Sequence, residues 1–246
     1  EEESAFRFAR LFDTREDVVD DSVWSWPNQG SVGNIEFDYW SEPDDLYEKI
    51  HQWIEERLPE SPDKGKAFDK WLGAEPFGDT HFFNLGDGVE ADSWQILSPR
   101  RTGPGGTDEI NMEVKNEYRN HWLQRATKQW NDVPQPVGDM QVTYGDKVIC
   151  NKNQHKDNQN IYDPEGKALE YVANGEIGLA IGTRKTSRTK DRWNHLKNKV
   201  EVEFSSQTQV KYSFPVWEDD ALELAYALTT HRAQGSQFEE TLLVVP

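Results

Sequence analysis

Thr229-Thr230-His231-Arg232-Ala233-Gln234-Gly235-Ser236-Gln237-Phe238 brings hydroxyls, an imidazole, a guanidinium and two amides into ten residues. The glycine marks a tight turn. Apolar runs at 222–228 and 242–245 flank the polar cluster. Two buried strands around such a turn are how open α/β sheets present a ligand site at the carboxyl ends of their strands. A second stretch with chemical potential is Ser98-Pro99-Arg100-Arg101-Thr102-Gly103-Pro104-Gly105-Gly106-Thr107. A glycine-rich loop between a strand and a helix N-terminus favours anions, and Arg100 and Arg101 add positive charge there.

The elements that must position these residues follow from periodicity. Residues 94–97 form a short apolar run bounded by Ser and Pro, which reads as a buried strand. The helix after the glycine loop, with Thr107 or Asp108 as its cap, extends to about Gln129 and puts Ile110, Val114 and Tyr118 on one face. Upstream, residues 35–40 alternate as a strand, and a helix begins after Ser41 with Pro43, Asp44 and Asp45 in its first turn and runs to about Leu58. This strand and helix read as one α/β unit. Residues 59–91 read as an irregular insertion with a short helix over 64–71. From Val137 the texture changes to short strands at 147–150, 177–182, 200–204 and 209–214, the pattern of a small β-barrel.

Between two of those strands, residues 184–199 carry seven basic residues and one acid. Arg184, Arg188, Lys190 and Arg192 would neutralise phosphates there, and Trp193 would stack on a base.

These motifs closely resemble a helicase family. The closing stretch, from Ala225-Tyr226-Ala227-Leu228 through Phe238, is similar to the A-Y-A-I strand and T-x-H-K-x-Q-G-S-E-F run of RecD-type superfamily 1 helicases. The glycine loop is similar to their V-L-[ST]-P-x-[RK]-x-G-P-x-G-x-[DN]-x-[LI]-N pattern, matched at Ile96, Leu97, Ser98, Pro99, Gly103, Pro104, Gly106, Asp108, Ile110 and Asn111. Gly145-Asp146-Lys147-Val148 and Asn174-Gly175-Glu176-Ile177-Gly178 resemble pieces of the SH3-like barrel inserted in the second motor domain. The resemblance covers roughly residues 93–246. It departs at Gln237, where the family has Glu.

The resemblance implies an α/β fold: a RecA-like parallel-sheet domain with an inserted SH3-like β-barrel. Residues 1–136 would form its first part with an acidic N-terminal segment, 137–216 the barrel, and 217–246 the remainder. It also implies a C-terminal motor domain of an ATP-dependent 5′→3′ DNA helicase, of the kind that serves repair and recombination. Arg101 is then the candidate γ-phosphate contact, with Arg100 second. Gly235 and Gln237 would face the nucleotide, and Thr229, His231 and Arg232 the nucleic acid. ATP and Mg2+ would be cofactors of the parent protein, and the partners single-stranded DNA and an N-terminal ATPase domain. The chain itself contains no G-x-x-x-x-G-K-[ST] loop and no Walker-B-like run, and the family's last arginine-bearing motif would follow Pro246. This chain alone is therefore expected to be inactive. The alternative is a non-catalytic nucleic-acid- or protein-binding module on a degenerate helicase fold.

Composition bounds these readings. With 27 basic against 45 acidic residues the net charge is −18, unlike a whole-surface nucleic-acid binder. The imbalance is local: residues 1–100 hold 24 acids and 9 bases, the rest 21 and 18. One cysteine, Cys150, excludes a disulfide framework and a thiol metal site, and this suits the cytoplasm. No run is long and apolar enough for a membrane span, so no membrane partner is expected. Nor is a metal site expected. The domain is expected to bind single-stranded DNA weakly, with affinity falling as salt rises, and replacing Arg188, Lys190 and Arg192 with Ala is expected to weaken it further; unchanged fluorescence anisotropy titrations would remove this loop as a contact.

Overall fold

A computed structural model describes residues 21–128, 133–155, 160–182, 199–215 and 220–245. The basic-loop residues Arg184, Arg188, Lys190, Arg192 and Trp193 lie outside the described residues. The chain divides into two compact units, residues 1–46 and 47–246.

In the first unit a 3-10 helix, Asp21–Gln29, leads into a minimal hairpin, β1 (Ser31–Val32) against β2 (Ile35–Glu36). The strand expected over 35–40 is thus shortened to its first two residues. It belongs to a two-stranded antiparallel sheet, not to a parallel α/β unit. Helix α1 (Pro43–Glu55) starts as its sequence signals: the Asp45 carboxylate accepts from the Ser41 N–H at 3.1 Å.

In the second unit the end of α1 buries Ile50 and Ile54. Helix α2 (Lys64–Trp71) is capped by Asp63, whose side chain accepts from the Lys66 N–H. The insertion expected to be mostly loop contains a hairpin, β3 (Glu75–Phe77) with β4 (Thr80–Phe82), and a 3-10 turn over Asp87–Asp92. That turn is fastened by Glu203, whose buried carboxylate accepts from the N–H groups of Gly86 at 2.8 Å and Gly88 at 3.2 Å.

β5 (Trp94–Ser98) is the middle of a three-stranded parallel sheet and is buried except at Leu97, as a strand covered on both faces must be. The helical segment after it is not one α-helix. It is α3 (Thr107–Val114), a π-helical segment (Lys115–Arg119) and α4 (Asn120–Ala126), ending before the expected Gln129. Gly106, not Thr107 or Asp108, is the capping residue. Ile110, Val114 and Tyr118 are all buried, as their spacing implies. The π segment also buries Lys115 and Arg119.

Short strands follow: β6 (Lys147–Cys150), β7 (Gln154–His155), β8 (Asn160–Tyr162), β9 (Tyr171–Val172), β10 (Ile177–Leu179), β11 (Lys199–Phe204), β12 (Lys211–Pro215) and β13 (Leu222–Leu224). Six of them make an antiparallel sheet in the order β13-β6-β10-β11-β12-β8. Among the described residues no ladder joins β8 to β13, so the sheet is not a closed barrel. The apolar run 222–228, expected as one strand, is split. β13 joins the antiparallel sheet through β6, and β14 (Ala227–Thr229) joins the parallel sheet through β5. β15 (Glu240–Leu243) lies on the other side of β5, giving the parallel order β14-β5-β15. The fold is therefore mixed α/β, with a small parallel and a larger antiparallel sheet. Among the described residues no helix is long and apolar enough to cross a membrane.

A layer of aromatic rings and a buried ionic cluster join these parts. Trp71 stacks on Trp94 at 4.5 Å, and Phe68 stacks on Tyr118 at 4.9 Å. Beside them the Asp146 carboxylate accepts from the Tyr226 hydroxyl at 2.8 Å and the Thr143 N–H at 2.7 Å, and pairs with Lys115. Arg119 lies 3.6 Å from Asp146 and pairs directly with Asp69 of α2. Gly145 permits this: its φ is +78°, and a Cβ there would lie 2.1 Å from the Arg119 guanidinium. Burial pushes the Asp69 carboxyl upward, but Arg119, His121 and Trp122 outweigh it and hold it at about 2. A depressed carboxyl stabilises the fold above its unfolded pKa and loses that contribution as pH falls through the folded value. The unit is therefore expected to lose about 2 kcal/mol between roughly pH 4 and pH 2 through this group. Urea titrations across that range should show the loss in the native protein and not in Asp69→Asn.

Candidate functional site

The parallel register decides what meets at the carboxyl ends of the strands. Thr229 of β14 lies opposite Ser98 of β5, and the Thr230 N–H donates to the Ser98 carbonyl at 3.0 Å. The turn after β14 and the glycine loop after β5 therefore leave the sheet side by side. Each is folded by its own polar groups. In the loop, the Ser98 hydroxyl donates to the Gly105 carbonyl at 2.6 Å, and the Asp108 N–H to the Arg101 carbonyl at 2.9 Å. In the turn, Thr229 Oγ1 accepts from the Arg232 N–H at 3.3 Å, and the Thr229 carbonyl accepts from the Ala233 N–H at 3.0 Å. Gly235 carries the chain round with φ +93° in open space, so the backbone conformation, not crowding, requires glycine there.

β14 is an edge strand, and Asn111 of α3 covers part of its edge. Its amide donates to the Ala227 carbonyl and accepts from the Ala227 N–H, both at 2.9 Å. The buried side chain thus completes the pairing that a neighbouring strand would otherwise supply. At the other end of the turn stands Lys147, fully buried. It donates to the Trp94 carbonyl, and its amine lies 4.5 Å from the Trp94 ring and 5.8 Å from that of Phe238. Burial lowers its pKa to about 7, against a smaller opposing pull from Asp92.

Two of the expected cations are brought together. Arg101 from the loop and Arg232 from the turn both reach Glu223 of β13. Arg101 Nη2 lies 3.1 Å from one carboxylate oxygen, and Arg232 Nη1 lies 2.7 Å from the other. Arg101 also pairs with Asp108 at 3.4 Å, and Arg232 also donates to the Asn151 side chain. The charge of Glu223, then that of Asp108, raises the Arg101 pKa. Burial pushes Glu223 up, but bonds from Arg232 and Arg101 outweigh it and hold the carboxyl below its usual range. Arg101, Asp108, Glu223, Thr229 and Arg232 line one small cleft. His231 and Gln237 stand exposed on the turn beside it, and Arg100 is exposed on the loop outside this pairing. Among the described residues no group of His, Cys, Asp or Glu is arranged to hold a metal ion.

No protein-family model matches the chain. A stretch of 166 residues is 31% identical to part of an uncharacterized protein of Methanocaldococcus jannaschii. The match takes in 63% of this chain and 12% of that protein, so the chain spans only a small part of its relative's length.

Sequence reasoning missed Glu223, Asn151 and the pairing role of Asn111. Glu223 had a faint signal, as the only charge in the apolar run 222–228. Asn111 stood inside the glycine-loop pattern with no role attached. Replacing Asn111 with Leu strands both backbone groups of Ala227 and is expected to cost about 2–4 kcal/mol, since each buried group left unpaired costs about 1–3. Urea unfolding measures that loss, and a cost below about 0.5 kcal/mol would show that β14 is held without it.

Proposed function

We propose that this chain is the second RecA-like domain of a RecD-type DNA helicase, carrying an SH3-like insertion built from the antiparallel strands. The observation that supports this most is the parallel pairing of β14 and β5. It sets the Thr229–Phe238 turn beside the glycine loop, with Arg101 and Arg232 converging between them. That is the placement a motor of this class needs: one face toward nucleic acid, the other toward a nucleotide shared with a first, P-loop domain.

In this reading ATP and Mg2+ sit against the first domain, and bound ATP supplies the phosphoryl group whose hydrolysis drives the motor. Exposed Arg101 stabilises negative charge at the γ-phosphoryl group, where it develops during transfer. Gly235 and Gln237 line the nucleotide side, and the neutral amide of Gln237 hydrogen-bonds more weakly than a carboxylate would. Thr229 and His231 donate to the DNA backbone. Cytoplasmic placement belongs to the same proposal.

The second reading, a binding module without motor activity, draws on one observation. Arg101 already has two carboxylate partners and Arg232 shares one of them, so neither is left free. Assay of the longer parent protein separates the two. The helicase reading expects ATPase activity stimulated by single-stranded DNA, lowered about 100-fold in kcat by Arg101→Ala, and a weaker DNA affinity in His231→Ala. Single-stranded DNA binding with no ATPase activity would leave the binding module as the answer.

A further inference from the structure

Arg101 and Arg232 come from different elements, the loop after β5 and the turn after β14, yet point at the two oxygens of one carboxylate. Their other contacts hold them there: Asp108 on Arg101, Asn151 on Arg232. Both guanidinium groups therefore keep a partner if Glu223 swings away. The Glu223 side chain lines the small cleft and is 25% exposed, so part of it already meets water. Arg101 is 59% exposed and within reach of an arriving group.

We propose that Arg101 and Arg232 form one binding site for a single phosphate group, and that Glu223 is its resident plug. Guanidinium forks that fit a carboxylate also fit a phosphate, which brings more acceptor oxygens and at least as much charge. While Glu223 is in place the site is electrically balanced, and loose anions gain little by entering. A phosphate already held elsewhere, as part of a polyphosphate or a nucleic-acid strand, enters at high effective concentration and displaces the carboxylate. The inference leans on the proposed function only for the source of the phosphate, nucleotide or DNA backbone; the pairing geometry is independent of it.

The test is a titration of this chain, first with inorganic tripolyphosphate and separately with an oligothymidylate of about twelve nucleotides. The Nε–Hε NMR signals of Arg101 and Arg232 are followed throughout. Both signals are expected to move on one binding curve with at least one ligand. Response to tripolyphosphate assigns the site to nucleotide phosphates, and response to the oligonucleotide alone assigns it to the strand backbone. Glu223→Gln is expected to tighten that ligand about tenfold by removing the competing charge. Arg101→Ala added to Glu223→Gln is expected to abolish the gain. Movement of one arginine alone or of neither overturns the shared site, and the native chain suffices for that measurement. No gain in Glu223→Gln, or a gain that survives Arg101→Ala, overturns the plug. A parent protein without ATPase activity would sink the helicase reading and leave these titrations unaffected.

Discussion

Asp146 takes a hydrogen bond from Tyr226 and one from the Thr143 backbone, and faces Lys115 and Arg119, all beyond the reach of solvent. A carboxylate so placed is tolerable only with its cations; Lys115 in turn pairs with it, while Arg119 also has Asp69. Removing either side of a buried pair costs about 3–5 kcal/mol. The members of the cluster come from separate places: the π segment, the turn before β6, and the link between β13 and β14. The cluster therefore works as a register pin. Tyr226 cannot slide along the chain without leaving Asp146, and Thr229 lies three residues beyond it. The position of the turn relative to both sheets is set by the Tyr226–Asp146 hydrogen bond and by the Lys115–Asp146 pair behind it.

Two further devices carry that register to the cleft. The stacked rings of Trp71, Trp94 and Tyr226 give β5 and its neighbour a rigid backing. Asn111 then fastens β14 from the helix side. The result is a site whose backbone is fixed while its charged groups remain at the surface. A chain with net charge −18 keeps this cleft near local balance, because Glu223 and Asp108 sit directly on Arg101 and Glu223 on Arg232.

Much of this could be read along the chain. The buried strand read at 94–97, the Lys64–Trp71 helix and the apolar face of Ile110, Val114 and Tyr118 follow from local periodicity, because one buried stripe is enough to specify them. The splitting of 222–228 between two sheets was not legible. Leu222, Leu224, Ala225, Ala227 and Leu228 are all buried, and the apolar residues from 224 to 228 contain no mark of where one sheet ends and another begins. The π segment was hidden likewise, since Lys115 and Arg119 look like surface residues until Asp146 and Asp69 arrive from 31 and 50 positions away.

The sequence by itself determined the chemical inventory of the candidate site, the two polar stretches that hold it and the local elements on either side. These depend on residue types and on spacings of a few positions, where propensity and periodicity act. Only the tertiary structure decided that Arg101 and Arg232 share one carboxylate, that Asn111 serves as a strand partner, and that buried ions hold the two sheets in register. Each of those is a contact between residues far apart in the chain. Such contacts arise because a buried charge or an unpaired backbone group must find a partner somewhere in the fold, and local sequence does not say where.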